Sequence, residues 1–347
     1  MDVPKVSVII LNYNGHRFLG ELLSKCIESV LLSDYPCFEV FFVDNASTDD
    51  SVALVKNRFG SDSRLKIVQN SENLGFTEGN NVGLRLAQGE YSVLLNNDTY
   101  VDASWLKNLV KAGQPSSVGA VQSKLLLMSK PDLMDCAGGF IDCYGYPTER
   151  GQRQAASQYT QISECFYGKG ASLLLKHEAL KKSGLFDRDI FMYYDETDLC
   201  WRLRLAGYKI VFCPTSIVYH AAGATASRTY EEKLVYFCRR NQLMLLIKNF
   251  ELMNMFKAVL VFVICEVRTA ILCGIRGKHL AGLAIFRALF WNLCNLRRTW
   301  EKRVVVQKLV RKVSDREIKQ SMIKTCQPSP IFFIFLKACY LKLRQKK

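Results

Sequence analysis

Apolar and polar positions along the first hundred residues alternate between two periods. Val6–Leu11 is a continuous β-branched and aliphatic run, the pattern of a strand buried on both faces. Asn12-Tyr13-Asn14-Gly15 breaks it. Phe18, Leu19, Leu22, Leu23, Cys26, Ile27, Val30 and Leu31 then follow at helical spacing. Val40–Val43 is a second strand ending at Asp44, and Ser47 and Thr48 stand where they can cap the next helix. Leu65–Val68 is a third strand. Asn73–Gly75 is a turn, and Thr77 precedes a helix running through Ala87. Tyr91–Leu95 is a fourth strand and ends at Asn96-Asn97-Asp98. Repeated β-α units predict a mostly parallel sheet with right-handed crossovers. Such sheets bind ligands beyond the carboxyl ends of their strands, where Asp44 and Asp98 both fall.

The middle of the chain is less regular. Val118–Met128 reads as a strand, Gly138–Tyr146 as a loop or hairpin, and Gly168-Lys169-Gly170-Ala171 leads into the apolar run Ser172–Leu175. Asp195–Ala206 has a helical pattern, with Leu199, Leu203 and Ala206 on one side. Lys209–Cys213 and Ile217–Tyr219 read as short strands, and His220 ends the second. Beyond about Tyr230 the character changes. Leu252–Ile275 is strongly apolar but interrupted by Lys257, Glu266 and Arg268, and charges near the middle of a spanning helix are costly. Leu280–Leu296 and Ile331–Leu343 are similar stretches flanked by Arg and Lys. The expectation is a set of in-plane or shallow membrane helices rather than a span.

Charge sharpens this division. Residues 1–240 carry 26 Lys and Arg against 27 Asp and Glu, whereas residues 241–347 carry 21 against 5. A near-neutral domain with a basic, apolar tail is a poor nucleic-acid binder and suits an anionic membrane surface. Thirteen cysteines are scattered without any Cys-x-x-Cys pair, which argues against a zinc site and for reduced, buried thiols. The start of the chain, Met1-Asp2-Val3-Pro4-Lys5, has no apolar signal region, so the expected location is the cytoplasmic face of the cell membrane, or the cytoplasm if the tail is a soluble module.

Three features can carry chemistry. Asp98, in a turn at a strand end, can supply an oxygen ligand to Mg2+ or Mn2+, the ions that neutralise a nucleotide diphosphate; on its own, an Asn-Asn-Asp turn is usually only a turn. Asp195-Glu196-Thr197-Asp198 places three carboxylates in four residues at a helix start. This is electrostatically favourable whatever its use, and it also suits a general base, since neighbouring carboxylates raise one another's pKa. His220 gains meaning only if it joins Asp98 around one ion.

The ordered set of motifs resembles glycosyltransferase family 2 of the GT-A fold, and in particular its rhamnosyltransferase-like and galactofuranosyltransferase-like branch. The matching residues are Val6 to Gly15, Val43-Asp44-Asn45 with Ser47 and Asp49, and Asn73 through Asn81. They continue with Leu94 through Asp98, Phe191 through Arg202, and Val218-Tyr219-His220. The resemblance covers roughly residues 4–250. It implies that Asp44 accepts hydrogen bonds from the nucleobase, that Asn45 and Asn73 line the nucleoside pocket, and that Asn12 and Asn14 lie near the nucleotide. It implies Asp98 and His220 as metal ligands for Mn2+ or Mg2+. Asn96 stands at the first acidic position of the family's Asp-x-Asp motif and would act through water or the ribose. The family's Glu-Asp pair is reversed here as Asp195-Glu196; by position the base is Glu196, with Asp195 as a possible substitute. Trp201 and Arg202 would border the acceptor or diphosphate, Trp201 being equally suited to the core.

The expected architecture is therefore an α/β GT-A domain over residues 1–240, a Rossmann-like, mostly parallel sheet flanked by helices, followed by a basic, apolar helical region over 241–347. The implied reaction is inverting transfer of a hexose or deoxyhexose from a UDP- or dTDP-sugar to a hydroxyl of a lipid-linked or cell-surface glycan precursor. Two rivals are a non-catalytic nucleotide-sugar-binding scaffold and a sugar nucleotidyltransferase. Intact Asp44, Asp98, Glu196 and His220 oppose the first. The lack of any basic grip before Arg17 in the loop after the first strand opposes the second.

Overall fold

A computed structural model describes residues 3–222 and 231–324. The expected apolar stretch Ile331–Leu343 lies outside the described residues. The chain divides into two compact units. The first holds the residues up to 140, those from 149 and those at 310–313; the second holds 141–148, the helices that follow residue 230, and the residues after 313.

The first unit is built on a ten-stranded mixed sheet. Its strands in chain order are β1 (Val6–Asn12), β2 (Phe38–Asp44), β3 (Leu65–Gln69), β4 (Tyr91–Asn96), β5 (Thr99–Val101), β6 (Val118–Leu127) and β7 (Lys130–Cys136). After a two-stranded ribbon of β8 (Gly139–Ile141) and β9 (Pro147–Glu149) come β10 (Ser163–Glu164), β11 (Ser172–Lys176) and β12 (Lys209–His220). The order across the sheet is β10-β12-β6-β11-β4-β1-β2-β3, with β5 also on β12 and β7 on β6.

β1 sits between β2 and β4, parallel to both, and helices cover both of its faces, which is why its apolar run is unbroken. Antiparallel pairs occur at β5, β7 and β10, and β11 breaks the parallel order in the middle of the sheet. It runs antiparallel to both β4 and β6, so the loop before it, rather than the one after it, opens on the carboxyl edge of the sheet. β12 is parallel to β6 and ends at that same edge with His220. The fold is thus α/β and GT-A-like. The four strands expected in the first hundred residues all form, each extending a residue or two beyond its expected limits.

Local chemistry departs from the sequence pattern in four places. The long first helix is split into Gly15–Leu19 and Glu21–Leu31 by Gly20, whose φ of 57° is open to glycine. Ser47 and Thr48 do not cap a helix; the next helix, Ser51–Phe59, begins after Asp50, and both side chains turn to the strand ends instead. Thr77 lies inside the helix Gly75–Leu86 rather than before it, with its hydroxyl donating to the Ile190 carbonyl. The two short strands expected over 209–219 are one strand with an irregularity between Cys213 and Ile217.

The second unit is helical, with Glu231–Asn249, Leu252–Ile275, His279–Cys294 and Leu296–Val305 as its longer helices. The most apolar 18-residue window of Leu252–Ile275 has a mean hydropathy of 2.2, and this is the one helix among the described residues long and apolar enough to cross a membrane. Its Glu266 is fully buried, 3.1 Å from Arg239 Nε, and accepts a hydrogen bond from the Tyr146 hydroxyl at 2.9 Å. Lys257 and Arg268 are exposed on the same helix, alongside Met253, Leu260, Ile264, Ile271 and Ile275.

Candidate active site

The carboxyl ends of β1, β2 and β4 lie side by side, with Asn12 opposite Asp44 and Leu11 opposite Asn96. Polar side chains there have no strand partner ahead of them and bond to one another. Asp44 Oδ1 accepts from Asn12 Nδ2 at 2.9 Å and from Ser47 Oγ at 2.5 Å, and its Oδ2 accepts from Ser47 N–H at 2.9 Å. Asn14 takes a left-handed backbone, φ 52°, and its Oδ1 accepts from Thr48 N–H at 2.7 Å. Asn45 donates to Asn73 Oδ1 at 2.9 Å and to the Gly75 carbonyl, and accepts from Asn70 and from Leu74 N–H. The carboxamides of Asn12, Asn14 and Asn45 are therefore engaged within the protein. They form a stiff frame around the Asp44 carboxylate.

This frame continues into the turn after β4. Asn97 Nδ2 donates to Asn12 Oδ1 at 2.8 Å. Gly15 makes the approach possible: a Cβ there would stand 2.1 Å from Asn12 Oδ1 and 2.9 Å from Asn97 Nδ2. Asn96 is half-buried at the lip of this turn.

Asp98 and His220, 122 positions apart in sequence, meet at the same edge. His220 Nε2 is 3.2 Å from Asp98 Oδ1, and both residues are about 5% exposed or less. Asp98 Oδ1 is shielded from solvent, and the His220 ring is its partner among the described residues. A buried carboxylate oxygen and an imidazole nitrogen at this spacing are two ligating atoms that one divalent cation could share. On its far side, His220 is held at Nδ1 by Asp135 Oδ2, 2.9 Å away. Burial opposes a charge on this imidazole, but Asp135 and Asp98 outweigh burial and raise its pKa to about 9. Asp135 is in turn 3.2 Å from Lys169 Nζ, which also lies 3.3 Å from Glu149. Burial would push Asp135 toward its neutral acid; His220 and Lys169 prevail and lower its pKa.

The donors fit a divalent ion held by few protein groups. No cluster of three or more His, Cys, Asp or Glu poised around one ion occurs among the described residues. One carboxylate and one imidazole nitrogen leave most positions for phosphate oxygens and water, which is how Mg2+ and Mn2+ are commonly bound with phosphorylated substrates.

The acidic helix start separates its carboxylates into different roles. Tyr193 and Tyr194 are both left-handed, φ 66° and 64°, a conformation that costs non-glycine residues of order 1 kcal/mol each and that turns the chain sharply into the helix. Asp195 is buried, and its pKa is raised well above the usual range, first by burial and then by the charge on Glu196. Glu196 is only half-buried, and its Oε1 accepts from Gly170 N–H at 2.7 Å. Asp198 is consumed in a buried pair with Arg202, 2.9 Å. Arg202 also donates to the Ser183 carbonyl at 2.6 Å, and Trp201 is fully buried edge-on to Phe166. Neither Arg202 nor Trp201 borders an open site; both hold the helix in the core.

Three contributors escape a reading by motif. Asp135 is one of two aspartates in β7, and nothing in its spacing marks it. Lys169 and Gly170 come from the glycine-flanked loop before β11. That loop ties the two halves of the site together, since Lys169 Nζ reaches Asp135 and Gly170 N–H holds Glu196.

A mixed α/β sheet thus carries a carboxylate frame, an acidic helix start and an Asp–His pair along one edge. Residues 7–123 match the model of glycosyl transferase family 2. The chain is 29% identical over 246 residues to the uncharacterised protein y4gI of Sinorhizobium fredii, covering 66% of this chain and 25% of that protein. It is 29% identical over 232 residues to the O-antigen biosynthesis protein RfbC of Myxococcus xanthus, covering 64% of this chain and 18% of that one. The chain thus spans a quarter or less of the length of these two relatives. Among solved structures, the mannosyltransferase PcManGT from Pyrobaculum calidifontis in complex with GDP-Man and Mn2+ superposes with a TM-score of 0.53 and 19% identity over 88% of this chain and 86% of that one. The fold is GT-A-like, and residues 7–123 are similar to the family 2 glycosyl transferase model.

Proposed function

We propose that this chain transfers a hexose or deoxyhexose from a nucleotide-diphosphate sugar to an acceptor hydroxyl with inversion at the anomeric carbon. The observation that carries this reading is the meeting of two buried ligating groups, Asp98 Oδ1 and His220 Nε2, 3.2 Å apart at the carboxyl edge of the sheet. A divalent ion, Mn2+ or Mg2+, would neutralise charge developing on the departing diphosphate. Asp98 and His220 would hold that ion. Asp44, fixed by Asn12 and Ser47, would accept from the nucleobase, with Asn45, Asn73 and Asn14 shaping the nucleoside pocket and Asn96 reaching the ribose or a water.

Glu196 would take the proton of the acceptor hydroxyl as its oxygen bonds to the anomeric carbon and the bond to the diphosphate oxygen breaks. Asp195, kept neutral by burial, would leave the negative charge on Glu196 rather than compete for the proton. One base and no enzyme nucleophile in a single in-line displacement gives inversion. This ordering supports Glu196 over Asp195 as base. The test is transfer by Glu196→Gln and Asp195→Asn with and without chelator. Loss in Glu196→Gln and on chelation is expected; full activity in Glu196→Gln would move the base, and chelator-insensitive transfer would sink the metal role.

The donor reading, UDP- or dTDP-sugar of the rhamnosyl- or galactofuranosyl-transferring branch, rests on the motif set and is tested by a binding screen of UDP-, dTDP- and GDP-sugars with Mn2+. For the second unit we propose peripheral attachment to an anionic membrane surface, which would bring the site to lipid-linked or cell-surface glycan precursors. The exposed apolar side chains of Leu252–Ile275 beside Lys257 and Arg268 support it. Leu260→Asp with Ile264→Asp should abolish binding to vesicles containing phosphatidylserine; undiminished binding would refute it.

A further inference from the structure

We propose that Asp135 is a positioning residue for this reaction, holding His220 so that Nε2 is the nitrogen presented to Asp98 and the ion, with Lys169 fixing Asp135 in turn. The inference rests on the metal reading of Asp98 and His220 and adds residues that reading does not contain.

The geometry supports it step by step. The backbone of His220 is fixed as the last residue of β12, opposite Leu127 of β6 and Thr99 of β5, and its carbonyl accepts from Met128 N–H at 2.9 Å. That leaves the ring free to turn about its side-chain bonds. Asp135 Oδ2 removes this freedom by accepting at Nδ1, 2.9 Å. An imidazole bonded to a carboxylate at one nitrogen offers the other one in a fixed direction and as a better donor to a cation. Asp135 itself is 3% exposed, on a strand laid directly against β6. Its carboxylate is then clamped from a third direction by Lys169 Nζ, at 3.2 and 3.4 Å from its two oxygens. Glu149 at 3.3 Å keeps the ammonium in place. The contacts run in the order Glu149–Lys169–Asp135–His220 and end at the buried Asp98 Oδ1.

The plain rival is a buried ion network that only pins β7 and the 168–170 loop to the sheet. Such a network would affect stability, and it would leave ion affinity alone in protein that remains folded. The two are separated by titrating the full-length protein with Mn2+ and reading free Mn2+ by electron paramagnetic resonance, beside melting curves in chelator. Asp135→Asn keeps the shape of the side chain and Asp135→Ala removes it; Asp98→Asn is the control.

Folded Asp135→Ala should bind Mn2+ about 10- to 100-fold more weakly than the natural sequence, the usual penalty for removing the group behind a ligating histidine. Asp135→Asn should fall between them. In transfer assays the defect should appear in the Mn2+ concentration for half-activation, with kcat recovered at saturating Mn2+. Mn2+ affinity within twofold of natural in folded Asp135→Asn and Asp135→Ala, while Asp98→Asn loses binding, would overturn the role of Asp135 alone. Absence of Mn2+ binding in the natural sequence would overturn the metal reading beneath it.

Discussion

Replacing Gly170 by alanine tests the proposed base through a single methyl group. A Cβ at this position would stand 2.6 Å from Glu196 Oε1 and 2.9 Å from the tip of the Phe76 ring, where ordinary contact begins near 3.4 Å. The Glu196 carboxylate must retreat by about 0.8 Å, which stretches its 2.7 Å bond from Gly170 N–H to about 3.5 Å and ends it as a hydrogen bond. A hydrogen bond to a charged group contributes about 1.5–3 kcal/mol. If that bond aims the base, its loss lowers kcat by about ten- to a hundredfold. The closer obstructing atom is the end of a flexible side chain and the Phe76 ring needs to give by only about 0.5 Å, so the melting temperature should fall little. The assay is steady-state transfer with the donor and acceptor varied separately, beside thermal melts. A reduced kcat with unchanged donor KM and a near-natural melt is expected. An unchanged kcat in a folded Gly170→Ala protein would show that the orientation of Glu196 does not matter and refute the reasoning.

Other substitutions separate frame from chemistry. Gly15→Ala, whose Cβ would overlap Asn12 Oδ1 and crowd Asn97 Nδ2, should destabilise the domain by about 1–3 kcal/mol and weaken donor binding, measured by urea denaturation and calorimetric titration. Trp201→Ala should cost about 3–5 kcal/mol of stability without a selective rise in acceptor KM, because its ring is buried against Phe166 rather than exposed to substrate. For pH, burial works against the Glu39 carboxylate, but Lys66, Ser7, Lys5 and Gln88 N–H lower its pKa from 4.5 to about 2. A lowered folded value means its stabilisation is present above about pH 4.5 and is lost as pH falls toward 2. Melts across this range should therefore fall steeply in the natural sequence and less steeply in Glu39→Gln.

The first strands were readable because β1, β2 and β4 are largely apolar runs ended by a polar residue, Asn12, Asp44 and Asn96. The meeting of Asp98 with His220 was legible only as a resemblance, since no spacing rule joins residues that far apart. The carboxamides told less. A buried Asn in a turn has the same sequence signature whether it bonds a ligand or, like Asn12 and Asn45, its own neighbours. Ser47 and Thr48 looked like helix caps because caps and strand-end brackets use the same hydroxyl-bearing residues. Asp135 was invisible because its importance comes from the pairing of β7 with β6, a tertiary event. The reversed direction of β11 was equally hidden, because Ser172–Leu175 has the same apolar composition in either orientation.

That reversal has a consequence for how exact the site must be. The ladder that pairs Ser172 with Leu95 and Lys176 with Tyr91 is also what sets where Gly170 stands along the sheet edge. A slip of one residue would carry the loop about 3.4 Å and turn every side chain of β11 to the opposite face. Gly170 N–H would then be out of reach of Glu196, and Lys169 out of reach of Asp135. The alignment of an interior strand, with no polar side chain of its own at the chemistry, thus acts as the gauge against which both halves of the site are set.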